Sequence, residues 1–81
     1  MPDQQEIFDR VANVITATLK VKRESIGPAS RFIEDLNADS LDMLTLLMQL
    51  EDEFGNKIPD EDARGLTTVQ AVLDYLAAKS A

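Results

Sequence analysis

The sequence contains no cysteine and no histidine. The first absence removes disulfides, thiolate metal ligands and any thiol nucleophile; the second removes the commonest general base and the commonest zinc ligand. Tryptophan is missing, and one Tyr and three Phe are the only aromatics, so any core must be largely aliphatic. An enzyme built from what remains would rely on carboxylates, lysines and hydroxyls, which weighs against self-contained catalysis. Positive charge is scarce as well: 8 Lys and Arg face 15 Asp and Glu, for a net charge of −7. Nucleic acid and anionic membrane surfaces both need clustered cations, so neither is an expected partner. Charge-free stretches such as Met43 to Leu50 are far too short to span a bilayer. The acidic start Met1-Pro2-Asp3-Gln4-Gln5-Glu6 has no apolar segment resembling a secretory signal. The expectation is a monomeric protein of a reducing compartment, the cytoplasm.

A chain of 81 residues allows one domain, residues 1–81. With neither disulfide nor metal available, a domain of this size depends on regular packing. Ile7, Val11, Val14, Ile15 and Leu19 recur at three- and four-residue intervals and predict a helix over 4–19. Asp3 is placed to cap it, with Glu6 three residues on. From Lys20 to Ala38 the periodicity fails around Gly27-Pro28. A connection this long should be ordered only if Ile26, Phe32, Ile33 and Leu36 pin it to the core. A second helix is predicted from Ser40 to Phe54, ended by Gly55-Asn56. Its residues Met43, Leu46, Leu47, Leu50 and Phe54 form one stripe; Leu41, Leu44 and Met48 form a separate flank, predicted to be an exposed docking strip. Ile58-Pro59-Asp60-Glu61-Asp62-Ala63 predicts a single short turn that Gly65 stops. Thr67-Thr68-Val69-Gln70 reads as a capping box before a last helix carrying Val69, Val72, Leu73, Leu76 and Ala77. The tail Lys79-Ser80-Ala81 is expected to fray. The fold class is thus all-α: a small bundle of three principal helices plus one short helix, with a long ordered loop between helices one and two.

The charge is segregated. Between Glu34 and Asp62 there are ten acids and one base, Lys57, giving −9; the remainder has five acids and seven bases, giving +2. This points to an electrostatic docking surface for basic protein partners. No window supplies the alternating oxygen ligands, mid-loop Gly and closing Glu of a calcium loop, so no metal site is expected.

The most informative local feature is Leu36-Asn37-Ala38-Asp39-Ser40-Leu41-Asp42. Asp39 and Asp42 are placed to cap the second helix. Ser40 then sits at a helix N-terminus, where free N–H groups and the helix dipole favour an anion. A phosphodiester on that hydroxyl would be electrostatically tolerated despite its acidic neighbours.

This stretch resembles the prosthetic-group motif of the acyl carrier proteins, in particular the free-standing carriers of type II fatty acid synthesis. Leu50-Glu51-Asp52-Glu53-Phe54, Ile58-Pro59-Asp60-Glu61-Asp62-Ala63 and Thr67-Thr68-Val69-Gln70-Ala71 resemble three further parts of that family, in the same order. The resemblance implies that Ser40 carries 4′-phosphopantetheine, transferred from coenzyme A by a separate phosphopantetheinyl transferase. The arm would hold acyl groups as thioesters for the enzymes of fatty acid or related lipid and polyketide synthesis. It further implies that Asp39, Leu41, Asp42, Leu44, Met48, Glu51 and Asp52 meet basic, partly apolar patches on acyl-handling enzymes. Leu50, Phe54, Ile58, Ala63, Leu66 and Val72 would line the interior that shelters the acyl chain. The chain departs from the family pattern at Asn37, where Gly is usual, and at Thr45, Gln49 and Arg64. The last three alter partner-facing positions and leave the serine untouched.

The alternative is an unmodified acidic helical adaptor that holds one basic partner through its second helix and is indifferent to the Ser40 hydroxyl. Both readings share the crowding of like charge. Millimolar magnesium should therefore raise the melting temperature, each 1 kcal/mol of relieved repulsion appearing as about 4–8 °C in a domain of this size. A melting temperature indifferent to both magnesium and added salt would show the repulsion to be negligible.

Overall fold

The computed structural model describes residues 3–80. Helix α1 spans Gln4–Leu19, α2 Ser40–Phe54, α3 Asp60–Ala63 and α4 Val69–Ser80, with a 3₁₀ turn at Arg23–Ser25. The only sheet-like pairing among the described residues is an isolated antiparallel bridge between Arg31 and Thr68. The architecture is the expected all-α bundle, and α1 and α2 begin and end where the periodicity placed them.

Each helix owes its limits to local chemistry. The Asp3 carboxylate accepts the Glu6 N–H at 2.8 Å and starts α1. That helix ends on Lys20, held in the left-handed region at φ 60°, with its N–H donating to the Thr16 carbonyl at 3.0 Å. Gly55 ends α2 at φ 70°, a conformation in which it alone has no Cβ to strain. The start of α4 differs from the predicted capping box. Thr68, not Thr67, is the cap: its Oγ1 accepts the Ala71 N–H at 3.1 Å, while the Gln70 side chain reaches forward to Asp74. The box is unnecessary because the long loop supplies the acceptors. Val69 and Gln70 donate to the carbonyls of Ser30 and Pro28 at 3.0 and 2.8 Å. At the other end α4 runs on through Ser80, so Lys79 and Ser80 are helical where fraying was expected; Ala81 lies outside the described residues.

α1 packs on α2 and α4 and buries Ile7, Val11, Ala12 and Ile15 against Leu46 and Leu50 of α2 and Val69, Val72, Leu73 and Leu76 of α4. The non-helical segments complete this core with Ile26, Phe32, Leu36, Ala38, Ile58 and Leu66. Ile26, Phe32 and Leu36 are the expected pins. Ile33 is not, being 60 % exposed. The Asp35 and Leu36 N–H groups both donate to the Arg31 carbonyl, a helix-like turn. Residues 32 and 36 therefore share a face and Ile33 turns outward.

Two arginines tie the frame together. Arg10 on α1 donates from Nε to the Glu53 carboxylate at 3.0 Å and from Nη2 to the Glu53 carbonyl at 2.7 Å. Its guanidinium also lies 4.3 Å from the Phe54 ring centre. Arg23 reaches back from the 3₁₀ turn to Asp9 at 3.1 Å and covers the Phe8 ring.

A lysine in the left-handed region carries a cost of roughly 1–2 kcal/mol that glycine escapes, less glycine's greater chain entropy. Lys20→Gly should therefore stabilise the domain by about 0.5–1 kcal/mol. Thermal or urea unfolding checks this; a loss of stability would mean that the Lys20 side chain contributes more than its backbone costs.

Candidate functional site

The loop delivers residue 40 to the start of α2 through a short series of fixed steps. The Ala38 N–H donates to the Phe32 carbonyl at 2.9 Å, which closes the turn over the buried Phe32 ring. Asn37 adopts φ 58° within that turn; Asn tolerates this better than other side chains, so the turn survives without Gly. Asp39 is extended and caps α2, its Oδ1 accepting the Asp42 N–H at 2.8 Å. Asp42 returns the bond, its Oδ2 accepting the Asp39 N–H at 3.2 Å. This reciprocal box makes Ser40 the first helical residue, exposed to solvent. The N–H groups of Ser40 and Leu41 have no intrahelical acceptor and lie at the positive end of the helix dipole. A hydroxyl-linked anionic diester is matched to that donor set.

Beside Ser40 lies a cavity of about 750 Å³ between α2, α3 and the loop. Its apolar walls are Phe32, Ile33, Met43, Leu44, Leu47, Ala63 and Leu66, and Arg31, Glu34, Arg64 and Thr67 complete the lining with Ser40. α3 is held in place as one wall by two contacts. Tyr75 Oη of α4 donates to Asp62 Oδ2 at 2.8 Å. The Ile58 N–H donates to the Glu51 carboxylate at 2.7 Å. The bond to Asp62, with burial second, raises the Tyr75 phenol above its ordinary value. On the loop side, the Arg31 N–H at 2.8 Å holds the Asp35 carboxyl below the usual carboxylate range.

The candidate residues fall into separate places. Of those expected to line an interior pocket, Ala63 and Leu66 border the cavity with Ser40. Leu50, Ile58 and Val72 are instead in the closed core, and Phe54 packs against it beneath Arg10. The reason is partly angular: the Met43, Leu44 and Leu47 group centres roughly 90° around the α2 axis from the Leu46 and Leu50 pair, although Met43 itself lies only about 20° from Leu50. One side of the helix thus faces the core and the neighbouring side the cavity. Phe32, Met43 and Leu47 are cavity residues that periodicity alone reads as core or loop pins. On the outer face, Leu41, Leu44 and Met48 are 73, 57 and 57 % exposed, as the flank predicted. Asp39 and Asp52 are exposed, while Asp42 and Glu51 are half-buried. Asp39, Asp42 and Glu51 are engaged within the fold by the bonds above; no such bond ties the Asp52 carboxylate among the described residues. Thr45 and Gln49 border a separate groove against α1, with Asn13 and Thr18.

The family model described as "Phosphopantetheine attachment site" matches residues 9–76. The chain is 49 % identical over 79 residues to an acyl carrier protein of Thermosynechococcus vestitus, covering 98 % of each chain. It is 46 % identical over 76 residues to those of Chlorobium phaeovibrioides and Chlorobium luteolum, covering 94 % of this chain and 97 % of each relative.

The Tyr75–Asp62 bond is open to direct measurement, because Tyr75 is the only tyrosine and tryptophan is absent. The raised phenol means that the bond stabilises α3 fully below the ordinary tyrosine value of 10.0 and is lost as pH rises through the raised one. Phenolate absorbance should titrate above that value, and Asp62→Asn should return it toward 10.0. At neutral pH, Tyr75→Phe should speed hydrogen exchange of the Ala63 and Arg64 amides. Unchanged exchange and an ordinary titration would show that the bond does not hold α3.

Proposed function

The chain belongs to the acyl carrier protein family, and from that premise we propose that Ser40 is the residue on which it carries its 4′-phosphopantetheine. The observation that supports Ser40 most directly is its position: an exposed hydroxyl on the first residue of α2, at the edge of an apolar cavity. The prosthetic group supplies a thiol at the end of a flexible arm, on which acyl groups ride as thioesters. The protein's own residues do the rest. The N–H groups of Ser40 and Leu41 and the helix dipole favour the negative diester. The cavity walls Met43, Leu47, Ala63 and Leu66 offer apolar shelter to the cargo.

In this reading the chain is a non-catalytic carrier domain. Attachment would form an ester between Ser40 Oγ and the pantetheine-side phosphorus while the phosphoanhydride of coenzyme A breaks and adenosine 3′,5′-bisphosphate leaves. The hydroxyl proton needs a base. Histidine is absent, and the nearby Asp39 and Asp42 carboxylates are committed to capping, so the base belongs to the transferase. Leu41, Leu44 and Met48 with Asp52 form the contact strip for that transferase and for acyl-handling enzymes with basic patches. Asp39, Asp42 and Glu51 contribute to its negative field while serving the fold. The carrier works as a monomer in the cytoplasm and serves fatty acid synthesis or a related pathway. Weak, electrostatically steered docking suits a shuttle that must leave each enzyme as readily as it arrives.

Incubation with coenzyme A and a broad-specificity phosphopantetheinyl transferase should add one phosphopantetheinyl group to the intact mass. Ser40→Ala should lose the addition entirely while keeping its helicity, since Ser40 lies one residue after the cap and its replacement costs less than the ~1 kcal/mol of a lost cap. A full mass gain in Ser40→Ala would overturn the assignment, and no gain in the wild type would favour an unmodified adaptor. Asp52→Lys should slow modification several-fold at low salt without changing stability, and 0.5 M NaCl should shrink the difference. Equal rates would remove Asp52 from the docking face.

A further inference from the structure

The cavity beside Ser40 is electrically odd for this protein. The chain carries −7 overall, yet the charged residues lining the cavity are two arginines and one glutamate. Arg31 is already matched: its Nη1 lies 2.7 Å from Glu34, and its Nε 3.5 Å from Asp35. Arg64 is not. It follows α3 directly, is exposed, and makes none of the ion pairs among the described residues. The nearest acids in sequence do not supply a partner, and Asp62 is taken by Tyr75. Only the Arg64 backbone is anchored, through its N–H to the Asp60 carbonyl at 3.2 Å. The result is a guanidinium without an ion-pair partner among the described residues, bordering a largely apolar space that the Arg31–Glu34 pair also lines.

We propose that Arg64 is a specificity-determining residue of this cavity and favours acyl cargo that ends in a carboxylate. The inference rests on the assignment of Ser40 as the attachment site. An alkyl chain entering the cavity gains only apolar contact with Met43, Leu47, Ala63 and Leu66. A chain of equal length with a terminal carboxylate would strand that charge against the same walls unless a cation met it. A guanidinium meets a carboxylate with two parallel N–H donors, and its position beside solvent spares the pair full desolvation. The phosphodiester on Ser40 is the competing anion. It is fixed at the α2 N-terminus, where backbone N–H groups already face it, so Arg64 remains available to the cargo.

The test compares adipoyl and hexanoyl cargo, which share a six-carbon chain and differ by one carboxylate. Each is installed on the full chain from its coenzyme A thioester with the same transferase, and intact mass confirms loading. Wild type and Arg64→Gln are then compared in the rate of thioester cleavage by hydroxylamine and in the Arg64 Nε–H resonance. Adipoyl cleavage should be about two- to fivefold slower in wild type than in Arg64→Gln, the range an exposed ion pair supports. Hexanoyl cleavage should match in the two proteins, and 0.5 M NaCl should erase the adipoyl difference. The Nε–H resonance should move on adipoyl loading and stay in place on hexanoyl loading. Equal rate ratios for both cargoes would overturn the proposal. So would a resonance already moved by the unloaded arm, which would assign the anion to the phosphodiester. A failure of loading would overturn the Ser40 assignment as well, whereas successful loading without Arg64 dependence would overturn this inference alone.

Discussion

The structure depends on how the chain between α1 and α2 is fastened. Phe32 is fully buried in that segment, and the backbone from Pro28 to Phe32 is bound to the start of α4. Its own N–H donates to the Thr67 carbonyl at 3.2 Å, while Ser30 and Pro28 accept from Val69 and Gln70. One set of bonds thus solves two problems. It satisfies the first N–H groups of α4, which would otherwise lack acceptors, and it holds a long connection whose ordering entropy no regular element would offset. Everything at the site follows from this fastening. The Phe32 carbonyl receives Ala38, Ala38 leads to Asp39, and Asp39 starts the helix on which Ser40 stands. The Phe32 ring also borders the cavity, so the residue that anchors the loop helps shape the space beside the serine.

Much of this was legible in the sequence, and the reasons differ by element. α1 and α2 have apolar residues at helical spacing and unambiguous ends, Asp3 and Gly55 among them, so their limits could be read directly. The exposed strip was legible because Leu41, Leu44 and Met48 fall outside the angular range that one small core can bury. The start of α4 misled because its acceptors come from Pro28 and Ser30, some forty residues away, where local capping patterns carry no information. Ile33 misled for a related reason: its placement depends on the turn around the Arg31 carbonyl, not on hydropathy. The cavity was the least legible feature. Met43 and Leu47 share the apolar character of Leu46 and Leu50, and only the position of α3 separates a residue that borders open space from one sealed beneath it. The family resemblance grouped Leu50, Ile58 and Val72 with Ala63 and Leu66; here the last two border the cavity beside Ser40 and the first three are buried in the core.

The acidic charge does not act in one way. Asp39 and Asp42 cap α2 through each other's N–H groups, and Glu51 accepts the N–H of Ile58 in the link to α3. Glu53 binds Arg10, and Asp62 binds Tyr75. All of these carboxylates stabilise the fold locally; those bound to neutral N–H or O–H groups keep their charge in the field that extends into solvent, whereas that of Glu53 is balanced by Arg10. The repulsion implied by −9 between Glu34 and Asp62 is therefore offset by specific bonds to those same acids. That arrangement allows a domain of this size to concentrate its charge in one stretch of the chain without disulfides.

α2 connects these two roles because it presents three faces at once. Leu46 and Leu50 are sealed in the core, Met43 and Leu47 border the cavity, and Leu41 and Met48 face solvent. Leu44 belongs to two of them: it lines the cavity and is 57 % exposed on the outer strip. A protein seated on Leu41 and Met48 would cover Leu44 and so touch a wall of the cavity while Ser40 stands one turn away. Under the proposed docking, binding of an enzyme and occupancy of the cavity would then not be independent events. Whatever shifts the Leu44 side chain changes both the apolar surface offered outside and the volume available inside. Under the proposal that the cavity shelters cargo and the strip docks enzymes, a shared residue of this kind would link docking to release without any change of fold.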